Sequence, residues 1–348
     1  MKKKLTASLL LIAVAVSLFA GCAKTPKADP KVKAALDGKK VLFVGCSYTY
    51  YGGTVNPADK DNAVLELNER INDNGFFAQL CRANGAEVNV VDWTFGGHAL
   101  KALLGTEPCS LHSLCLTRTP SGHLADLTDR AYDYVILNEI YRRGESAEEI
   151  LESVKGYAKI FKDANPNVKL FYIVHDGVYT ANTGYDNEWL RSVSLIEKEG
   201  ITILDWGTLV WDVINGKAQV PGATLPFSKN SFIVSKDHTD GYHPNPLTGY
   251  LFALMTFSAI TGVDAVGQPY DFCYKKESGV YPISMWLQLD YFKESHYRYD
   301  DKETPDVNER KTNFIEVFNS EADMKGLQSL VNTYLADDTN AWEKYITE

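Results

Sequence analysis

A chain of 348 residues with 45% hydrophobic and 23% charged side chains has ordinary globular composition and length enough for a large core. That excludes a wholly disordered, collagen-like or polytopic membrane protein. Its formal charge of −10 excludes nucleic acid as the expected partner, because a polyanion repels an acidic chain at long range.

Lys2–Lys4 form a basic start, and Leu9 to Phe19 is a short apolar run. A run this short, followed by polar chain, reads as an export signal and not as a spanning helix. It closes on Phe19-Ala20-Gly21-Cys22, an ending that resembles the lipobox of bacterial lipoproteins. The resemblance implies that residues 1–22 are a signal peptide and that Cys22 carries a lipid. The globular part would then be held at a membrane in the cell envelope, outside the cytoplasm. Residues 23–38 are rich in Lys, Pro and Ala without apolar periodicity, and are expected to be a flexible tether.

Val41–Val44 is an uninterrupted apolar run ending at Gly45, as a strand buried on both faces requires. Val64 to Cys81 has helical spacing through Leu65, Leu67, Ile71 and Phe77, weakened by Gly75. Further strands are predicted at Val88–Val91, Tyr134–Leu137, Val168–Val174 and Ile201–Leu204, with helices at Ala147–Ala164, Asn187–Lys198 and Leu247–Ile260. Short apolar strands alternating with amphipathic helices argue for a parallel five-stranded sheet covered on both faces. That domain is expected over 39–265. Residues 266–348 are expected as a C-terminal helical extension packed on it, with one or two short helices in Glu321–Tyr345.

Apart from Cys22 the cysteines are Cys46, Cys81, Cys109, Cys115 and Cys273, an odd number, so one at least stays unpaired in a monomer. Cys109 and Cys115 flank a loop short enough for a disulfide, and two free thiols fit the spacing equally well. No Cys or His spacing suggests a structural zinc, and neither metal nor cofactor is expected.

In open parallel sheets ligands sit beyond the carboxyl ends of the strands. Gly45-Cys46-Ser47-Tyr48-Thr49 follows the first strand, where a sharp turn presents a serine hydroxyl above the sheet. Asp240-Gly241-Tyr242-His243-Pro244-Asn245 stands just before the last helix. An aspartate three residues before a histidine can fold back onto Nδ1, leaving Nε2 to take a proton from a serine. Alone, a turn serine or a capping aspartate would mean little. Together the three point to a hydrolytic triad.

These blocks resemble the first and last blocks of the SGNH (GDSL-type) hydrolases, over roughly Lys40 to Thr261. The resemblance implies a flavodoxin-like three-layer α/β/α sandwich and ester hydrolysis through an acyl-serine. By it Ser47 is the nucleophile, His243 the general base and Asp240 its orienting partner. It also implies an oxyanion hole formed by the Ser47 amide, by Gly97 after the second strand, and by a side-chain donor. The family's third block carries Gly-x-Asn-Asp, whereas this chain reads Tyr134-Val135-Ile136-Leu137-Asn138-Glu139-Ile140. Asn138 is therefore the candidate donor, with Arg142 and Arg143 as alternatives. His175, after the fourth strand, either lines the cleft or is a loop histidine without a catalytic role. Tyr48, Trp93 and Tyr141 fall near strand ends, where aromatic rings either stack on sugars or pack the rim. The expected function is an extracytoplasmic serine esterase that deacylates carbohydrate, its partner a glycan or small-molecule ester. The rivals are a lipase or small-ester esterase, and a non-enzymatic glycan-binding lipoprotein on the same fold.

Overall fold

Val41 and Phe43 face one core while Leu42 and Val44 face another, which is what an uninterrupted apolar run does in a sheet covered on both sides. The structure, a computed structural model, describes residues 29–50, 52–55, 70–71, 75–94, 99–104, 131–140, 145–175, 187–233, 243–273, 314–336 and 340–346. The elements begin with α1 (Pro30–Leu36), β1 (Lys40–Gly45), α2 (Ser47–Tyr50), β2 (Arg70–Ile71), α3 (Phe76–Ala83), β3 (Asn89–Thr94) and α4 (Leu100–Leu103). Then come β4 (Tyr134–Leu137), α5 (Ala147–Ala164), β5 (Lys169–Ile173), α6 (Asn187–Lys198), β6 (Thr202–Leu204) and α7 (Trp206–Ile214). The chain closes with α8 (Lys229–Phe232), α9 (Pro246–Thr261), α10 (Phe314–Phe318) and α11 (Glu321–Ala336).

The sheet order is β2-β3-β1-β4-β5-β6. β1 pairs in parallel with both β3 and β4, and β5 and β6 continue the parallel set. Numbered among themselves, the five parallel strands run 2-1-3-4-5, the flavodoxin-like order, whose direction of winding reverses beside β1. Phe171, Ile173 and Leu204 continue the first core, to which α1, α3, α7, α9 and α11 contribute. Val135, Leu137 and Tyr172 continue the second, covered by α5 and α6. This is the three-layer sandwich expected.

Three expectations need correction or completion. The helix predicted over 64–81 begins only at Phe76, after Gly75; Arg70–Ile71 instead pairs antiparallel with Asp92 and Val91 as a short edge strand. The second half of the tether is also not tether. Asp29 caps α1 by accepting the Lys31 amide, Pro30 opens the helix, and Val32 and Leu36 are buried in the first core. Residues 23–28, Cys22, Cys109 and Cys115 lie outside the described residues. Among those described, Cys46, Cys81 and Cys273 are buried free thiols.

α9 explains why the C-terminal extension exists. Every one of its residues except Ala259 is buried, so it has no polar face to turn to water. Met324, Leu327, Leu330 and Val331 of α11 lie in the same core and close that remaining side. Further polar ties hold the extension down. Asp323 accepts the Thr224 and Leu225 amides, and Asp212 accepts from Tyr334, Tyr345 and Lys344. Among the described residues no helix is long and apolar enough to cross a membrane.

Candidate active site

Ser47 Oγ and His243 Nε2 are 2.7 Å apart, although 196 residues separate them in sequence. Both side chains are nearly buried. Two local devices bring them together. On the serine side, β1 ends in Gly45 and Ser47 opens α2, so its amide is one that a helix leaves without an intrahelical acceptor. The chain can turn there only because Gly45 has no side chain. A Cβ at 45 would lie 2.5 Å from the Asn138 carbonyl oxygen and 2.6 Å from the Asn138 Cβ. On the histidine side, Pro244 bridges to Ile233, and Asn245 caps α9 by accepting the Leu247 and Thr248 amides. Asn245 also donates to the Ser231 carbonyl, which fixes the segment carrying His243.

The two halves are then pressed against each other. Thr54 donates its hydroxyl to the Gly249 carbonyl at 2.7 Å, and the Gly52 and Gly249 backbones touch. A Cβ at 249 would collide with the Gly52 carbonyl. Alanine normally improves a helix interior by roughly 0.5–1 kcal/mol over glycine. Here Gly249→Ala is expected to destabilise by about 3 kcal/mol, because neither backbone can withdraw. Chemical denaturation checks this, and a variant as stable as the parent would contradict the close approach.

Asn138 is fully buried, and its Nδ2 donates to Thr49 Oγ1 at 2.7 Å. That contact ties the end of β4 to the turn carrying Ser47, and it, not an open cleft, is what the structure gives the expected oxyanion donor. Of the two roles left open for Trp93, the structure gives it packing. It is 1% exposed and packs in the second core with Val91, two residues back on the same face of β3. Tyr48 is likewise buried, at 5% exposure, and its ring is stacked on His175. Neither ring is a platform for sugar. Asp240, Gly97, Tyr141, Arg142 and Arg143 lie outside the described residues.

Glu139 was given no role by sequence reasoning, and His175 was read there without its partners. The Glu139 carboxylate accepts the Leu100 amide at 3.0 and 3.2 Å and the Ile140 amide at 2.8 Å. Its carbonyl receives His175 Nε2 at 3.0 Å. A carboxylate two residues after a strand buried on both faces was the available signal, since such a charge must be matched by donors. Burial pushes the His175 imidazole down to about 3, against a weaker opposing effect of its bond to Glu139, so the ring is neutral. Burial also raises the Cys46 thiol beside the nucleophile to about 12, which leaves it a packed, unreactive neighbour. Among the described residues no group of side chains could hold a metal ion.

No protein-family profile matches the chain, and no curated protein does. Solved structures do. One is a family-two carbohydrate esterase from Clostridium thermocellum, solved with cellohexaose, at 16% identity and a TM-score of 0.37. The match covers 64% of this chain and 64% of that esterase, so the chain spans less than two thirds of its length. Another is a lipolytic protein of the G-D-S-L family from Veillonella parvula, at 10% identity, covering 63% and 95% with a TM-score of 0.38. A third, from Bacteroides uniformis, belongs to a family of unknown function, at 16% identity, covering 74% and 95% with a TM-score of 0.38. The chemistry of this chain rests on its own Ser47–His243 pair.

Proposed function

We infer that the chain is a serine esterase that cleaves carboxylic esters through an acyl-serine. The observation that carries the reading is the 2.7 Å contact between Ser47 Oγ and His243 Nε2 at the carboxyl end of β1, beside the point where the sheet reverses its winding. With Nε2 unprotonated, His243 takes the Ser47 proton as Oγ bonds to the ester carbonyl carbon. The tetrahedral intermediate collapses, the ester C–O bond breaks, and Nε2–H delivers the proton to the departing alcohol. Water then attacks the acyl-serine by the same route and releases the acid. Asp240 is the residue we assign to Nδ1, and the Ser47 amide and Gly97 are the oxyanion donors implied by the family blocks, while Asn138 holds the nucleophile turn through Thr49.

We place the enzyme in the cell envelope, anchored through Cys22, on the strength of the basic, apolar and small-residue sequence of its first 22 residues. Acylated carbohydrate is the substrate class that fits such a location. With Tyr48 and Trp93 in packing roles, that class stands on location and not on stacking rings. The direct test is reaction with a fluorophosphonate probe followed by peptide mapping, then turnover across acetylated glycans and esters of increasing acyl length. An adduct at Ser47 and preference for acetylated glycans are expected. An intact protein that takes up no probe is a binding protein.

The anchor is tested separately. Cys22→Ala should move the protein from the membrane fraction to the soluble fraction while turnover of a soluble ester stays unchanged. A variant that remains on the membrane after a salt wash contradicts the lipid assignment.

A further inference from the structure

Behind the general base stands an aromatic stack that the proton-transfer steps leave unused. The His175 ring lies almost flat on Tyr48, with centroids 4.0 Å apart and planes at 19°. His243 leans on the same tyrosine ring at 5.1 Å and 31°. The stack is fixed from below. His175 is fully buried, and its Nε2 faces the Glu139 carbonyl at 3.0 Å. A carbonyl only accepts, so Nε2 carries the proton. The Trp189 ring meets His175 edge-on at 5.5 Å and 63°, which stops the imidazole from sliding. Glu139 is itself immobilised through the Leu100 and Ile140 amides. Tyr48 thus lies between a fixed His175 and the imidazole that takes the proton from Ser47.

We propose that Tyr48, braced by His175, is a positioning residue for the general base: its ring aims the His243 imidazole at Ser47 and holds it more tightly as the imidazolium forms. The inference rests on the esterase reading of Ser47 and His243. An aromatic ring attracts a cation within about 6 Å of its centroid through its negative face, and in desolvated sites the effect reaches roughly 30-fold. His243 carries that charge only after Ser47 has given up its proton. The attraction therefore acts on the transition state and falls on kcat, with little on KM. A ring that merely filled space would give no such split.

The test replaces Tyr48 with phenylalanine and then with mono-, di- and trifluorinated phenylalanines. These keep the ring's shape while draining charge from its face. Turnover of 4-nitrophenyl acetate and melting temperature are measured for each. Tyr48→Phe is expected to keep most of the activity. Along the fluorinated series kcat should then fall stepwise, by about 10-fold at the trifluoro ring, with KM and melting temperature nearly constant. A flat kcat across the series, in a protein whose parent is active and labelled at Ser47 by a fluorophosphonate, overturns the role of Tyr48 alone. A parent that neither turns over the ester nor takes the label overturns the esterase reading and this proposal with it.

Discussion

Ser47→Ala is expected to lower ester turnover by about 10⁴-fold or more while the protein folds as before. The substitution removes one oxygen, the one that lies 2.7 Å from His243 Nε2. The turn itself does not depend on it. Gly45 sets the close approach to β4, Asn138 holds Thr49, and the Thr49 amide bonds back to the Cys46 carbonyl at 3.1 Å. What survives in the variant is the binding and oxyanion stabilisation that water can exploit without a serine. Turnover of 4-nitrophenyl acetate, with melting temperature as the control for folding, decides it. A clean variant that keeps more than about one part in a hundred of the parent rate places the nucleophile elsewhere.

The sheet was legible because strands buried on both faces must be continuous apolar runs, and Val41–Val44 and Tyr134–Leu137 are nothing else. α5 was legible at its ends as well as its middle. Ser146 and Glu149 form a reciprocal capping box there, a start signal written in local sequence. β2 was not legible, since two residues on a sheet edge have no period, and the helical spacing of Leu67, Ile71 and Phe77 ran over them. α1 escaped for a related reason. Only Val32 and Leu36 are buried, too few to make a stripe, although Asp29 and Pro30 were in place as cap and first residue. In the site, Ser47 and His243 could be read because each sits in a motif of its own. Trp93 could not be placed by its position at a strand end, which says nothing of face; the alternation from Val91 decides that it points inward. The stack of Tyr48 on His175 joins the ends of β1 and β5, strands not even adjacent in the sheet, and only the fold brings those together.

Asp205→Asn is expected to leave stability unchanged near pH 4 and to raise it by about 4 kcal/mol at pH 8. Asp205 is 4% exposed and caps α7, its Oδ1 accepting the Thr208 amide, while Oδ2 has no hydrogen-bond partner among the described residues. Burial raises its carboxyl from 3.8 to about 7, with the nearby Asp212 charge adding to the rise and the Thr208 bonds opposing it. The native state therefore keeps a proton that the unfolded chain releases, and stability falls as pH climbs from about 4 to 7. His175 has the opposite sign. Its pKa is depressed from 6.5 to about 3, so the native state lacks a proton that the unfolded chain binds, and stability falls as pH drops through that range. Between about pH 4 and 6.5 the two slopes, each about 1.4 kcal/mol per pH unit, cancel in the parent protein. Asparagine keeps the acceptor for Thr208 but has no charge to bury, so it removes one slope and exposes the other. Guanidinium unfolding of parent and variant at pH 4, 6 and 8 reads the difference directly. A gap between the two that stays constant with pH would mean that Asp205 is not the group that titrates.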